Sequence, residues 1–256
     1  MYEWFFNGFS MAQILVLGFC AILIGINKTG MPGIGTLPVV MLMLTFEPRL
    51  STGLQLMMLG AADLIAVTYY RRHANWVIVM KLLPWALVGI AVGILVLRGL
   101  DGGMLRVAIG WIIIVMVMLN FLRQRFLKNT ENLPDHWMFS AFFGLAAGLT
   151  TQVANAAGPV MAIYLLSMRL PKKEYMGSCA WYFLILNWLK IPIFIFEGRI
   201  TAAAFKADLA MIPLLLVGGM LGILFINKIN QKVFEIIIQV LVVVTAIYLI
   251  VSSPSA

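Results

Sequence analysis

Pro84-Trp-Ala-Leu-Val-Gly89-Ile-Ala-Val-Gly93-Ile-Leu95 recurs as Pro213-Leu-Leu-Leu-Val-Gly218-Gly-Met-Leu-Gly222-Ile-Leu224, with seven of twelve positions identical at a constant offset of 129. The echo extends upstream. Asp63 falls opposite Asn187 and Gly53 opposite Gly177 at offset 124, and Pro38 falls opposite Pro159 at offset 121. In a chain this apolar, two copies of one helical unit predict a membrane transporter with its substrate site between the halves.

Composition sets the class. The chain is 62% hydrophobic and 11% charged over 256 residues, whereas roughly a quarter of residues in a soluble domain are charged. Apolar runs of about 20 residues, each long enough to cross ~30 Å of hydrocarbon, recur from end to end. They leave no room for a soluble domain. The N-terminal Met-Tyr-Glu-Trp-Phe-Phe lacks the basic region of a secretory signal and reads as mature protein, with Trp4 anchoring at an interface. Cys20 and Cys179 sit in apolar segments without a CxxC or a neighbouring histidine and read as core fillers. The net charge of +8 does not indicate nucleic acid, because the bases stand singly or in pairs between apolar runs, as topology signals do.

The pattern predicts about ten helices, at roughly 9–27, 36–46, 51–70, 76–97, 104–122, 137–153, 158–169, 174–196, 203–226 and 231–251. The second and seventh are too short to span comfortably. Each follows a Gly-rich break, Asn27-Lys-Thr-Gly30-Met-Pro-Gly33-Ile-Gly35 in one half and Thr150-Thr-Gln-Val-Ala-Asn155-Ala-Ala-Gly158-Pro159 in the other. Such breaks persist at membrane depth only when buried in protein or lining a cavity. Each flanking pair is therefore a hairpin, re-entrant or fully spanning. The expected fold is an all-α integral membrane protein of two inverted-topology repeats, residues 1–122 and 137–256, joined by a polar cytoplasmic linker, 123–136. Each repeat holds a broken-helix hairpin plus three crossing helices. Gly89-xxx-Gly93, Gly144-xxx-Gly148 and Gly218-xxx-Gly222 are assigned a packing role.

An odd number of crossings per half turns the second half upside down, and the loop charges agree. One side collects Arg71, Arg72, Lys81, Arg123, Arg125, Lys128, Arg169, Lys172, Lys173, Lys228 and Lys232, eleven bases against four acids. The other has five bases (Arg49, Arg98, Arg106, Arg199, Lys206) against five acids (Glu3, Glu47, Asp101, Glu197, Asp208). The positive-inside rule places both termini outside the cytoplasm.

Lys28, Asp63 and Lys190 remain, inside or near the hydrocarbon, where a central charge costs ~2.5–3.5 kcal/mol even on the lenient insertion scale. Asp63 lies too deep to reach either surface. It is either a structural partner for a lysine or a proton or gating site. Lys28 either snorkels to the cytoplasmic surface or faces the site. Lys190, two residues before Pro192, either stretches toward Glu197 or joins the site. Each break also starts a half-helix, whose N-terminus carries about half a positive charge and unpaired N–H donors suited to an anion. Two such ends and one or two lysines select a small anion. The candidate binding residues are Asn27, Lys28, Thr29, Gly30, Gly33, Gly35, Thr36, Gln55, Thr151, Gln152, Asn155, Gly158, Asn187 and Lys190, with Asp63 as the proton or gating group.

The two breaks, with Tyr69-Tyr-Arg-Arg-His-Ala-Asn-Trp76, Leu83-Pro-Trp-Ala-Leu-Val-Gly89, Gly177-Ser-Cys-Ala-Trp-Tyr-Phe183 and Asn187-Trp-Leu-Lys-Ile-Pro192, make the chain resemble the TauE/SafE family of sulfite and organosulfur-anion transporters. The resemblance implies a bacterial inner-membrane permease moving sulfite, sulfonates or sulfoacetate. The first break has a Lys-Thr-Gly-Met-Pro-Gly form in place of the family's bare triple-glycine run, and the second reads Asn-Ala-Ala-Gly-Pro, so substrate assignments do not transfer automatically.

One elementary charge crossing the membrane is worth ~2.3 kcal/mol per 100 mV, so outward movement of an anion from a negative cytoplasm runs downhill without a coupling ion. This favours a secondary exporter working by alternating access. The alternatives are a passive anion channel or a proton-coupled importer, for which the single proton of Asp63 is too few. An enzyme is disfavoured, since His73 and His136 lie in loops and no HExxH, Gly-x-Ser-x-Gly or paired intramembrane carboxylate occurs. The expected partners are a small anion and membrane lipid, with no cofactor, metal or nucleic acid and no prediction of oligomeric state.

Overall fold

The computed structural model describes residues 2–32, 34–99, 111, 137–228, 230 and 233. The described elements are α1 (Tyr2–Phe6), α2 (Met11–Thr29), α3 (Thr36–Thr45), α4 (Pro48–Tyr70), α5 (Trp76–Arg98), α6 (Trp137–Ala154), α7 (Gly158–Ser167), α8 (Lys172–Phe196) and α9 (Ala202–Lys228), with no strand among the described residues. The helices expected over 104–122 and 231–251, apart from Trp111 and Val233, and the linker over 123–136 lie outside them, as does Gly33.

Among the described residues six helices, α2, α4, α5, α6, α8 and α9, are long and apolar enough to cross a membrane. The chain is a multi-pass membrane protein. The ten-residue α3 and α7 rise only about 15 Å each, half the hydrocarbon thickness. Local chemistry sets the ends. Ser10 and Gln13 form a capping box at α2, and Asn75 caps α5 by accepting from the Ile78 amide. Pro48 opens α4, where its missing N–H is harmless. Exposed Trp76 and Trp137 start α5 and α6, as expected of interfacial aromatics.

Three pairings build the bundle. Going up α2, Gly18 meets Leu214, Gly25 meets the backbone of Leu215 to Gly219, and Gly30 meets Gly222. Both numberings rise together, so α2 and α9 are parallel. Gly144 meets Leu82 and Trp85, Gly89 meets Leu145, and Gly93 meets Gln152, which makes α5 and α6 parallel too. In contrast, Gly53 meets Arg199, Gly60 meets Trp188, Asp63 meets Asn187 and Gly177 meets His73, so α4 and α8 run antiparallel.

The two parallel pairings share one register. A Cβ on Gly218 would meet the Ile22 carbonyl, and one on Gly89 the Leu145 carbonyl. A Cβ on Gly25 would meet the Leu215 carbonyl, and one on Gly148 the Ala86 carbonyl. Gly222 meets Thr29 as Gly93 meets Gln152. The offsets are 123 for Ile22/Leu145, Gly25/Gly148 and Thr29/Gln152, and 129 for Gly89/Gly218, Ala86/Leu215 and Gly93/Gly222. Small residues let the backbones approach because no side chain intervenes. The glycine motifs thus join a helix of the N-terminal part to one of the C-terminal part. One apolar core is built from α2, α3, α4 and α9, and another from α4 to α8 with Ile226 of α9.

Two readings change. The first break starts later than predicted, since α2 runs on through Lys28 and Thr29, two residues past the expected 27, while α6 ends at Ala154, one residue past the expected 153, so most of the polar residues of both breaks stand on helix. None of these residues forbids helical backbone, so the helices continue to Gly30 and Asn155. Asp208, counted above as a loop charge, is buried inside α9, and Lys206 also lies within that helix. The Thr201 hydroxyl accepts from the Ala204 amide and starts α9 before both.

Candidate anion site

In the first break, the Asn27 side-chain carbonyl accepts from the Gly35 amide at 3.0 Å, and a Cβ on Gly35 would lie 2.7 Å from that carboxamide. A larger residue at Gly35 would displace the Asn27 carboxamide from this contact. Gly35 then precedes α3 with no side-chain cap on its amides. In the second break, Asn155 adopts φ 51°, a left-handed conformation that asparagine tolerates. Its Nδ2 donates to the Thr52 carbonyl of α4 at 2.8 Å. Ala157 precedes α7, again without a side-chain cap, and Gly158-Pro159 form its first turn.

The buried Lys190 holds this second break. Its ammonium donates to the Thr151 carbonyl at 2.9 Å, the Thr151 hydroxyl at 2.8 Å and Asn155 Oδ1 at 2.7 Å. Three oxygens match its three N–H donors. Lys190 therefore turns inward and does not stretch to Glu197. That carboxylate pairs instead with Arg199 Nε at 2.8 Å, and the Arg199 guanidinium covers the Phe194 ring at 4.4 Å. Burial pulls the Arg199 guanidinium below the usual arginine range, and Glu197 pulls it back up.

Between the breaks, Lys28 Nζ lies 2.7 Å from Asp63 Oδ1 and 4.1 Å above the Phe183 ring. Asn187 Nδ2 donates to Asp63 Oδ2 at 2.6 Å. The Lys28 side chain is 8% exposed, so it does not snorkel to a surface.

A partly open pocket of about 460 Å³ of atom-free space lies against this cluster. Asn27, Lys28, Gly35, Thr151, Asn155, Gly158 and Asn187 line it, as do four residues the sequence reading missed: Leu59, Ala156, Pro159 and Phe183. Leu59 and Phe183 are 124 residues apart, the offset of Asp63 and Asn187, and that signal marks them as equivalent walls. Gly35 and Gly158 bring the starts of both short helices to the one pocket, and Lys28 adds an ammonium. Asp63 and Lys190 stand behind the lining.

Thr29, Gly30, Gln152 and Gln55 lie elsewhere. The Thr29 hydroxyl shares its one proton between the Gly25 and Gly219 carbonyls, and its own carbonyl accepts from the Tyr70 hydroxyl at 2.6 Å, so Thr29 fastens α2 to α9 and α4. Gly30 packs on Gly222. Gln152 Nε2 donates to Glu197 at 3.4 Å. Gln55 is buried in α4 outside the lining, and Thr36 opens α3. Uncapped helix starts beside a buried ammonium suit a small anion, whose oxygens accept from backbone N–H groups and from the lysine.

Neither a curated protein nor a solved structure matches the chain. A family model described as "Sulfite exporter TauE/SafE" matches residues 12–249, nearly the whole length, and the chain belongs to that family of membrane transporters.

Proposed function

We propose that the chain exports a small sulfur-containing or other organic anion, such as sulfite, a sulfonate or sulfoacetate, across a bacterial inner membrane by alternating access. The observation that carries this reading is the meeting of Gly35, Gly158 and Lys28 at one pocket. Two broken-helix starts and an ammonium create positive potential where the anion would sit. Asp63 acts as the gate: it holds Lys28 while the site is empty and yields part of that ammonium to the anion.

Two inverted repeats, residues 1–122 and 137–256, account for the shared register of the α2–α9 and α5–α6 contacts and for the antiparallel crossing of α4 and α8. Because each parallel pair draws one helix from each half, the rocking bodies are the pairs α2–α9 and α5–α6, with α4 and α8 crossing between them. Rocking of one sequence half against the other would pull those pairs apart. Both termini lie outside the cytoplasm, as the loop charges require, and the membrane potential drives export.

Counterflow of labelled sulfite in proteoliposomes tests the reading. Saturable, trans-stimulated exchange is expected, reduced at least tenfold in Lys28→Ala. Flux that neither saturates nor shows counterflow identifies a channel. Wild-type exchange and affinity in Lys28→Ala remove the lysine from the site.

A further inference from the structure

The amide of Asn187 is fixed by its neighbour. Asp63 presents Oδ1 to the Lys28 ammonium and Oδ2 to Asn187. An ionised carboxylate only accepts hydrogen bonds, so the amide nitrogen of Asn187 must face it and the amide oxygen must point elsewhere. That oxygen, Asn187 Oδ1, is buried and has no hydrogen-bond partner among the described residues. Asn187 itself is 1% exposed and borders the pocket. The sequence reading counts Asn187 among the anion-binding residues, where an amide would serve as a donor. In the structure its donor is engaged by Asp63, and the group left without a partner is an acceptor.

A buried acceptor left unsatisfied is costly, and native proteins rarely keep one without a reason. A bare oxyanion worsens the problem, because it sets a second row of lone pairs against Asn187 Oδ1. A ligand with its own donor solves it. The surrounding charge bounds the ligand further. Lys28 and Asp63 cancel as a pair, and the Lys190 ammonium stands behind the lining with its N–H groups engaged by Thr151 and Asn155. The two helix starts that face the pocket carry about half a positive charge each, about one in all, which matches a monoanion better than a dianion.

We infer that the pocket accepts a monoanion that carries a hydrogen-bond donor of its own, a hydroxyl or an acid O–H, and that this donor binds Asn187 Oδ1. Asn187 is then the specificity-determining residue that rejects donor-free oxyanions. Among sulfur species, the inference selects hydrogensulfite over the sulfite dianion and hydroxyalkyl sulfonates over plain ones. It rests on the reading of this pocket as the anion site.

Two probes of equal charge and nearly equal size separate the possibilities: 2-hydroxyethanesulfonate and ethanesulfonate, tested as competitors of labelled sulfite counterflow by the full chain in proteoliposomes. The hydroxylated probe should compete about tenfold more tightly, since a site built to bond a hydroxyl discriminates against the analogue that lacks it. In Asn187→Leu the ratio should fall to about one, and should that variant not fold, the wild-type ratio decides alone. Equal or tighter competition by ethanesulfonate overturns the inference. Sulfite itself gives a second arm, independent of whether either sulfonate fits. Exchange should follow the hydrogensulfite form and fall as pH rises through its ionisation, whereas exchange that follows the dianion overturns the inference. If sulfite is not exchanged and no probe binds, the anion reading of the pocket fails and the inference falls with it. Exchange without donor preference sinks the inference alone.

Discussion

Lys190 Nζ lies 2.7 Å from Asn155 Oδ1, and the same asparagine reaches Thr52 from its other side-chain atom. One lysine thus anchors a left-handed residue at the start of the second break, and that residue ties the break to α4. Lys190→Met strands the Asn155 and Thr151 oxygens, at about 1–3 kcal/mol for each orphaned group. Thermal unfolding in detergent should fall by several degrees with or without an anion. Lys190→Arg should not restore it, because a planar guanidinium does not fit three oxygens arranged about a point charge.

Lys28 and Asp63 form a buried ion pair, so removing either partner leaves an uncompensated charge. Lys28→Met or Asp63→Asn should each cost about 3–5 kcal/mol of stability. The double variant should cost clearly less than the sum, and Asp63→Asn keeps an oxygen for Asn187. The measurement is a double-mutant cycle on unfolding in detergent, paired with sulfite counterflow. The double variant should fold and still fail to transport. Additive stabilities would deny the pairing, and normal transport would deny Lys28 its role.

Glycines at the helix crossings are set apart from Gly158 at the pocket by what an added methyl would touch. Gly218→Ala and Gly148→Ala drive a Cβ into the Ile22 and Ala86 carbonyls of the partner helices, and overpacking of this kind costs about 1–3 kcal/mol. Gly158→Ala meets nothing within 4 Å. Its stability should be unchanged and any effect should fall on anion affinity. Thermal unfolding of the three variants side by side checks the order.

The predicted orientation places Ser10 and His73, both exposed, on opposite sides of the membrane. With Cys20 and Cys179 replaced, Ser10→Cys should react with an impermeant maleimide added to intact cells, while His73→Cys should react only after lysis. The reverse pattern overturns the charge-based topology.

Much of this was legible in the sequence because it depended on backbone chemistry. Gly30, Gly35, Gly158 and Pro159 announce interrupted helices through their own conformational limits, and the GxxxG spacings announce close approach. The partner choices were not legible. Whether Lys190 reaches Glu197 or Thr151 depends on a rotamer and on Arg199 having claimed that carboxylate, which no local pattern encodes. Thr29 and Gln152 looked like ligands because they are polar residues in breaks, yet both sit on helical turns that face α9 and the Glu197–Arg199 pair. Phe183 and Leu59 carry no polar signal of their own, although their separation matches that of Asp63 and Asn187.

The α2–α9 pairing bears on how the protein is made. Thr29 ends α2 and Ala202 begins α9, 173 residues later (202 − 29), which is roughly 9–35 s of synthesis. Throughout that interval the small-residue stripe of α2 lacks α9 as its mate and packs against lipid or other helices instead. Nascent chains cut short before residue 202 should be cleared by membrane proteases, so biogenesis is committed only when one of the last helices arrives.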